Sequence, residues 1–415
     1  MQFFYDIAVY AYRAGISAVA PFNRKASSWV NGRKGLFDDL RKGFENRDNT
    51  KTIWFHCASL GEFEQGRPVI EAFREKRPGW TILVTFFSPS GYTIRKGYEG
   101  ADIVSYLPMD TPANARKFLD IVNPSIAVFI KYEFWYNYMS ELYKRDIPFV
   151  YFSTIFREGQ HFFKWYGGWF RKKLALAEHI FVQDERSNEL LEKSGMKKVR
   201  IAGDTRFDRV RAIADKAVPY PMVEKFRDGR KLLLAGSTWP RDEELIAETI
   251  YNIKGLKVII APHETDSNHI GDIERKFSGL AVTKLSTLGN EKDPARPDVL
   301  IIDSIGHLMH LYRYCDIAYI GGGFGAGIHN ILEAATFGKP VIFGPNYQKF
   351  REARELISLG GAFTVDNTGE LSELAAKMLN DDDLREKASA VAEKYVTENT
   401  GATGRITGHL LELSG

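Results

Sequence analysis

Cysteine is scarce. The 415-residue chain has two, Cys57 and Cys315. They lie far apart, each in or beside an apolar run, so buried free thiols are expected rather than a disulfide, as in a reducing compartment. Neither Cys nor His occurs with metal-ligand spacing, so no metal is expected. A net charge of only +3 leaves no electrostatic footprint for nucleic acid. No uninterrupted apolar run is long enough for a confident membrane span. Repeats and low-complexity tracts are absent. What remains is a globular balance, 44% hydrophobic and 26% charged, in a chain long enough for two or three domains.

Short apolar runs alternate with helix-like segments. Strand candidates are 53–56, 81–87, 126–130, 148–152 and 179–182, then 232–235, 257–261, 298–302, 316–320 and 340–343. They are continuous and rich in Val, Ile and Phe, as strands covered on both faces are. Alternation with helices implies parallel sheets. Residues 209–230 are charged, carry Pro219 and Pro221, and read as a connection. The expectation is therefore α/β: two Rossmann-like domains with parallel sheets facing a central cleft, at 23–208 and 231–415. The last helix is a candidate to cross back to the first domain. Residues 381–396 read as a helix with an acidic first turn.

The most informative stretch is Gly321-Gly-Gly-Phe-Gly-Ala-Gly-Ile-His-Asn-Ile-Leu-Glu333, which follows a buried strand. Gly321, Gly322, Gly323 and Gly327 allow close backbone approach, and a helix starting near Asn330 would offer N–H groups to a phosphate. Glu333, one turn on, is placed to accept from sugar hydroxyls. The spacing is not G-x-G-x-x-G, so no dinucleotide fingerprint is expected. Packing alone also explains such glycines.

Further constellations sit at strand ends, where ligands of open α/β sheets bind. After 53–56 comes Ala58-Ser59-Leu60-Gly61-Glu62. Glu62 is placed to take a proton from an attacking hydroxyl, and S-x-x-E is also a capping box. Glu133 follows 126–130 amid aromatics, as a tuned acid or a helix-start carboxylate. Ser237 and Thr238 follow 232–235 as phosphate donors or a helix cap. His263 follows 257–261 as a base or phosphate contact, or as a plain surface residue. Arg206 is a candidate anion clamp, or the partner of Asp204 or Asp208. In 156–173, Arg157, Lys164, Trp165, Arg171, Lys172 and Lys173 interleave cations with aromatics, suiting an anionic acceptor or lipid headgroups, or a packed amphipathic helix.

Residues 1–22 are apolar and aromatic, and Arg24, Lys25, Arg33, Lys34, Arg41, Lys42 and Arg47 follow. Early Asp6 and the interrupting Arg13 do not suit a cleavable signal. The pattern points to a membrane-associating helix on the cytoplasmic side, or to a helix packed on the protein's own core.

Taken together, the runs ASLGE (58–62), FFSPSGY (86–92), YLPMD (106–110), KYEFW (131–135), GDTRFD (203–208), GST (236–238) and GGGFGAGIHNILEAA (321–335) resemble the bacterial 3-deoxy-D-manno-octulosonic acid (Kdo) transferases. The resemblance covers most of the chain. It departs where Pro262 meets His263 with no intervening Arg, and where Lys131-Tyr132 precede Glu133. It implies a GT-B fold, no catalytic metal or cofactor, and inverting transfer of Kdo from CMP-Kdo to a lipid A precursor at the cytoplasmic face of the inner membrane. Glu62 would be the general base, and Glu133 a second acid in the acceptor site or supporting the base. Arg206, Ser237 and helix-start N–H groups would steady the departing CMP phosphate, while Asn330 and Glu333 hold phosphate and ribose. The alternative is another GT-B transferase, or an epimerase, using a UDP-sugar.

Overall fold

The computed structural model describes residues 1–45, 47 and 50–415. The chain divides into two compact units: residues 1–208 with 400–415, and residues 209–399. Each is built on a seven-stranded parallel sheet.

The first unit carries β1 (Thr52–Cys57), β2 (Thr81–Phe86), β3 (Ile103–Tyr106), β4 (Ile126–Ile130), β5 (Phe149–Thr154), β6 (His179–Val182) and β7 (Val199–Ile201), in the order β3-β2-β1-β4-β5-β6-β7. Strand β1 shows how the sequence sets the layers. Ile53, Phe55 and Cys57 face one cluster with Phe63, Val69 and Phe73, while Trp54 faces the other with Phe118, Phe129 and Tyr138. Both faces are covered, so these strands read as unbroken apolar runs. The C-terminal helix Ala402–Ser414 adds Ile406 and Leu410 to the first cluster. Asp208 caps its start, accepting from Gly401 N–H (2.5 Å) and Thr403 N–H (2.8 Å).

The second unit carries β8 (Leu232–Thr238), β9 (Lys257–Pro262), β10 (Val282–Lys284), β11 (Val299–Ile301), β12 (Ile317–Ile320), β13 (Val341–Phe343) and β14 (Ala362–Thr364), in the order β10-β11-β9-β8-β12-β13-β14. Segment 209–230 is largely helical and belongs to this unit: Val223 and Phe226 are buried, and Arg227 pairs with Asp316 at 3.0 Å. In each sheet the strand order reverses beside the first strand, β1 or β8. Such a reversal opens a crevice at the carboxyl ends, the usual ligand position of this architecture.

The N-terminal helix Gln2–Val19 is two-sided. Tyr5 donates its hydroxyl to the buried Asp110 carboxylate (2.5 Å), and Asp6 accepts from Asn137 (2.9 Å), so one face docks on the first unit. On the other side Phe3, Phe4, Ile7 and Tyr10 are exposed, the two Phe by 69% and 68%. Among the described residues no helix is long and apolar enough to cross a membrane.

Candidate functional site

Glu62 occupies the first turn of the helix Leu60–Lys76, just beyond β1. Its Oε2 accepts the Ala58 N–H at 2.5 Å, and its own N–H reaches Ser59 Oγ at 3.4 Å. The capping role is therefore real. The carboxyl is also perturbed: burial, then the negative charge of Glu133, pushes it up to about 7, against the pull of the Ala58 N–H and Lys131. A carboxyl so placed can hold or release a proton near neutrality.

Glu133 lies beyond β4, on the other side of the strand-order reversal. Its Oε2 accepts from Trp135 Nε1 (2.8 Å) and faces His56 Nε2 (3.3 Å). His56 Nδ1 is 2.9 Å from Thr85 Oγ1, which takes the Trp54 Nε1–H at 2.7 Å. Indole N–H only donates and a carboxylate only accepts. In the neutral ring this places the proton on Nε2, facing Glu133, with Nδ1 toward the Thr85 hydroxyl, which also reaches Phe55 O at 3.4 Å. His56 is fully buried in β1, where a histidine reads as core, so the sequence left it unassigned. Lys131, between β4 and Glu133, adopts φ +64°, a strained value for a non-glycine residue. Replacing Glu133 with Gln is expected to lower the Glu62 titration below about 7, read by carboxyl NMR; an unmoved midpoint would mean that the two acids do not communicate.

Arg206 belongs to the first unit, not to the second, which carries the glycine turn. Its Nη2 and Nε bind Asp204 Oδ2 at 2.7 and 2.8 Å, which is the ion-pair option left open by the sequence. In 157–173, Arg157, Lys164 and Lys172 are exposed, and Trp165 is 93% so. Two of the expected surface cations turn inward: Arg171 donates to Phe162 O (2.6 Å), and Lys173 to Ser140 Oγ (2.5 Å).

In the second unit the glycine turn departs from expectation. The helix after it begins at Leu332 and spans four residues, too short to present a row of N–H groups. Several of the turn's N–H groups are used internally: Gly321 to Gly236 O (2.9 Å), Gly322 to Asp242 Oδ2 (2.9 Å) and Gly327 to Gly322 O (3.2 Å). A Cβ on Gly321 would stand 2.3 Å from Ser237 O, and one on Gly323 2.6 Å from Gly344 N. The packing explanation of these glycines therefore holds. Thr238 is buried and donates to Glu243 (3.3 Å), so its hydroxyl is not offered outward. Ser237 is only partly buried and takes φ +54° at an irregularity in β8, which turns it away from ladder geometry. Asn330 Nδ2 donates to Glu333 Oε1 (3.1 Å), and burial pushes the Glu333 carboxyl up.

A ring stack stands at the ends of β8 and β9 and beyond β12. His263 lies 4.7 Å from Trp239 and 4.6 Å from His329, and Trp239 Nε1–H donates to His329 Nε2 at 3.1 Å. The indole donor requires His329 to carry its neutral-form proton on Nδ1. Trp239 and His329 were hidden inside motifs read for their hydroxyls and glycines.

A family profile described as 3-deoxy-D-manno-octulosonic-acid transferase (kdotransferase) matches residues 33–209. The chain is 27% identical over 366 residues to the 3-deoxy-D-manno-octulosonic acid transferase of Haemophilus influenzae, covering 85% of each. It is 28% identical over 356 residues to the Aquifex aeolicus protein of that name, covering 83% of this chain and 91% of that one. Among solved structures, UDP-GlcNAc 2-epimerase from Neisseria meningitidis bound to UDP-GlcNAc superposes with a TM-score of 0.61 at 15% identity, covering 87% of this chain and all of that one (100%). A glycosyltransferase from Rickettsia africae gives 0.54 at 15%, covering 88% and 98%. At such identities the structural likeness establishes the fold alone. The fold is GT-B-like, two Rossmann-like units each on a parallel sheet, and over most of its length the sequence is similar to the curated Kdo transferases.

Proposed function

We propose that the protein is an inverting transferase that moves Kdo from CMP-Kdo to a lipid A precursor. The observation that carries this is Glu62: a carboxyl at the end of β1, pushed up to about 7, inside the ASLGE run. In this reading Glu62 takes the proton of the acceptor hydroxyl as that oxygen bonds to the anomeric carbon of Kdo. The bond from that carbon to the CMP phosphate oxygen breaks, and CMP leaves with its electron pair. Glu133, held by His56 and Trp135, keeps Glu62 basic enough by its charge. Ser237, Asn330 and Glu333 are the donor groups of the second unit, and the Trp239–His263–His329 stack offers the base a flat face. Arg206 is kept as an anion contact only in partnership with Asp204. The exposed apolar face of the helix Gln2–Val19, with Trp165 and Lys164, would rest on the inner membrane surface where the lipid acceptor resides.

A second reading keeps the fold and changes the donor: a UDP-sugar transferase or epimerase. It is favoured by the TM-score of 0.61 to a UDP-GlcNAc 2-epimerase over most of both chains. A donor screen separates the two. The expected result is CMP release from CMP-Kdo that depends on a lipid A precursor, with no UDP-sugar consumed. UDP-GlcNAc turnover without CMP-Kdo turnover would discard the Kdo assignment and keep the nucleotide site.

A further inference from the structure

Lys131 is the first residue beyond β4, at the strand-order reversal of the first unit and two residues before Glu133. Its N–H donates to Phe152 O of β5 at 2.9 Å, and its φ is +64°. Among the described residues, six that are not glycine take positive φ. Five of them, Asn123, Asp146, Ser153, Asp228 and Ser237, have short polar side chains, which bond to nearby backbone and ease this conformation. Lys131, with its ammonium on a four-carbon stem, is the exception. Glycine would make the same turn without strain. A long cation kept where the backbone favours glycine implies a use for the side chain itself.

That use lies beside Glu62. Lys131 is half-buried, and its positive charge pulls the Glu62 carboxyl down against burial and Glu133. Coulomb attraction fades with distance, so the ammonium stands near the carboxyl. Two other cations at these strand ends are directed elsewhere: Arg206 is held by Asp204 at 2.7 Å, and Arg157 acts on the Tyr132 hydroxyl.

In the transfer reading, on which this inference rests, the substrate is anionic just here. Kdo is a 2-keto acid sugar, so its carboxylate is bonded to the very carbon that the acceptor oxygen attacks. That carboxylate therefore comes close to the base. Glu62, Glu133 and the donor carboxylate would be three negative groups in one crevice, and like charges in one site disfavour each other. A cation at the same strand end offsets this, and an ammonium can bind a carboxylate by a charge-assisted hydrogen bond. We propose that Lys131 binds the carboxylate of the donor sugar, and so favours an acidic donor sugar over a neutral one.

The test is a transfer assay of the full chain with CMP-Kdo and a lipid A precursor, with CMP as competing inhibitor. CMP shares the nucleotide and lacks the carboxylate. Lys131→Met keeps most of the stem and removes the charge. Lys131→Gly also removes the strain at φ +64°, which guards against a variant that fails to fold. Both are expected to raise KM for CMP-Kdo about tenfold and to leave the inhibition constant of CMP within about twofold. Both should also move the rise of kcat/KM above about pH 7, because the charge that lowers the Glu62 carboxyl is gone. An unchanged KM in Lys131→Gly, even with a shifted pH profile, would reduce Lys131 to a tuner of Glu62 and overturn the carboxylate contact. A rise in KM matched by the CMP constant would overturn it as well, as damage to the whole donor site. In either case native turnover of CMP-Kdo keeps the transfer reading standing. If the native chain turns over no CMP-Kdo, the transfer reading falls, and the contact falls with it for want of a carboxylate.

Discussion

Glu62→Gln is expected to lower turnover by roughly 10²–10⁴-fold while leaving nucleotide binding intact. The amide keeps the carboxylate's shape and one carbonyl oxygen, so it can still accept the Ala58 N–H that ties Glu62 to the turn. What it loses is the ability to take a proton. Nucleotide contacts are assigned to the second unit, whereas Glu62 belongs to the first, so donor affinity should move little. A variant with full activity would reduce Glu62 to a helix cap.

The pH dependence follows from the same carboxyl. A general base works ionised, so kcat/KM of the native enzyme should climb through about pH 7 and level off above it. The residual rate of Glu62→Gln should lack this limb. Stability has the opposite slope. The folded value, about 7, lies above the ordinary 4.5, so the native state favours the proton. That contribution is fully present below about 4.5 and is lost as pH rises through about 7. Glu62→Gln should therefore melt higher than the native protein at pH 8 and not at pH 4. A functional carboxyl held against its own stability is the pattern expected of an active site.

Ten of the fourteen strands were legible as apolar runs, because both faces of the sheet centres are covered. The four that were not, β3, β7, β10 and β14, are the four sheet edges. Each is three or four residues long: Ile-Val-Ser-Tyr, Val-Arg-Ile, Val-Thr-Lys and Ala-Phe-Thr. Edges are half-solvated, so polar residues enter and the apolar signal fades. Site residues divide in the same physical way. Glu62 and Glu133 were legible because a charge just beyond a buried strand is conspicuous. His56 was not, since its importance lies in hydrogen bonds to Thr85 and Glu133, residues 29 and 77 positions away. The glycine turn was legible as a turn, but what its backbone packs against was not. Local sequence shows that a backbone approaches something closely, but not that the something is Ser237 and Gly344.

Asp242 was also silent in the sequence, and its loss should be the most destructive single change in the second unit. It sits in the first turn of the helix Pro240–Asn252 and is almost wholly buried. Oδ1 accepts the Tyr319 hydroxyl at 2.7 Å, and Oδ2 accepts both Gly322 N–H and Trp239 N–H at 2.9 Å. One side chain thus joins the end of β8, the body of β12 and the glycine turn. Asp242→Ala strands three donors, each costing about 1–3 kcal/mol when fully buried, so a loss of at least roughly 3 kcal/mol is expected in urea unfolding. Nucleotide binding should fail with it, because Trp239 and the turn lose their common anchor. Asp242→Asn separates charge from geometry. Its single carbonyl oxygen can hold Gly322 and Trp239, leaving Tyr319 to turn its hydroxyl as an acceptor, so an intermediate loss is expected. If Asp242→Ala unfolds within about 1 kcal/mol of the native chain and binds nucleotide normally, water must replace the carboxylate at no net cost. The turn would then be held by glycine packing alone.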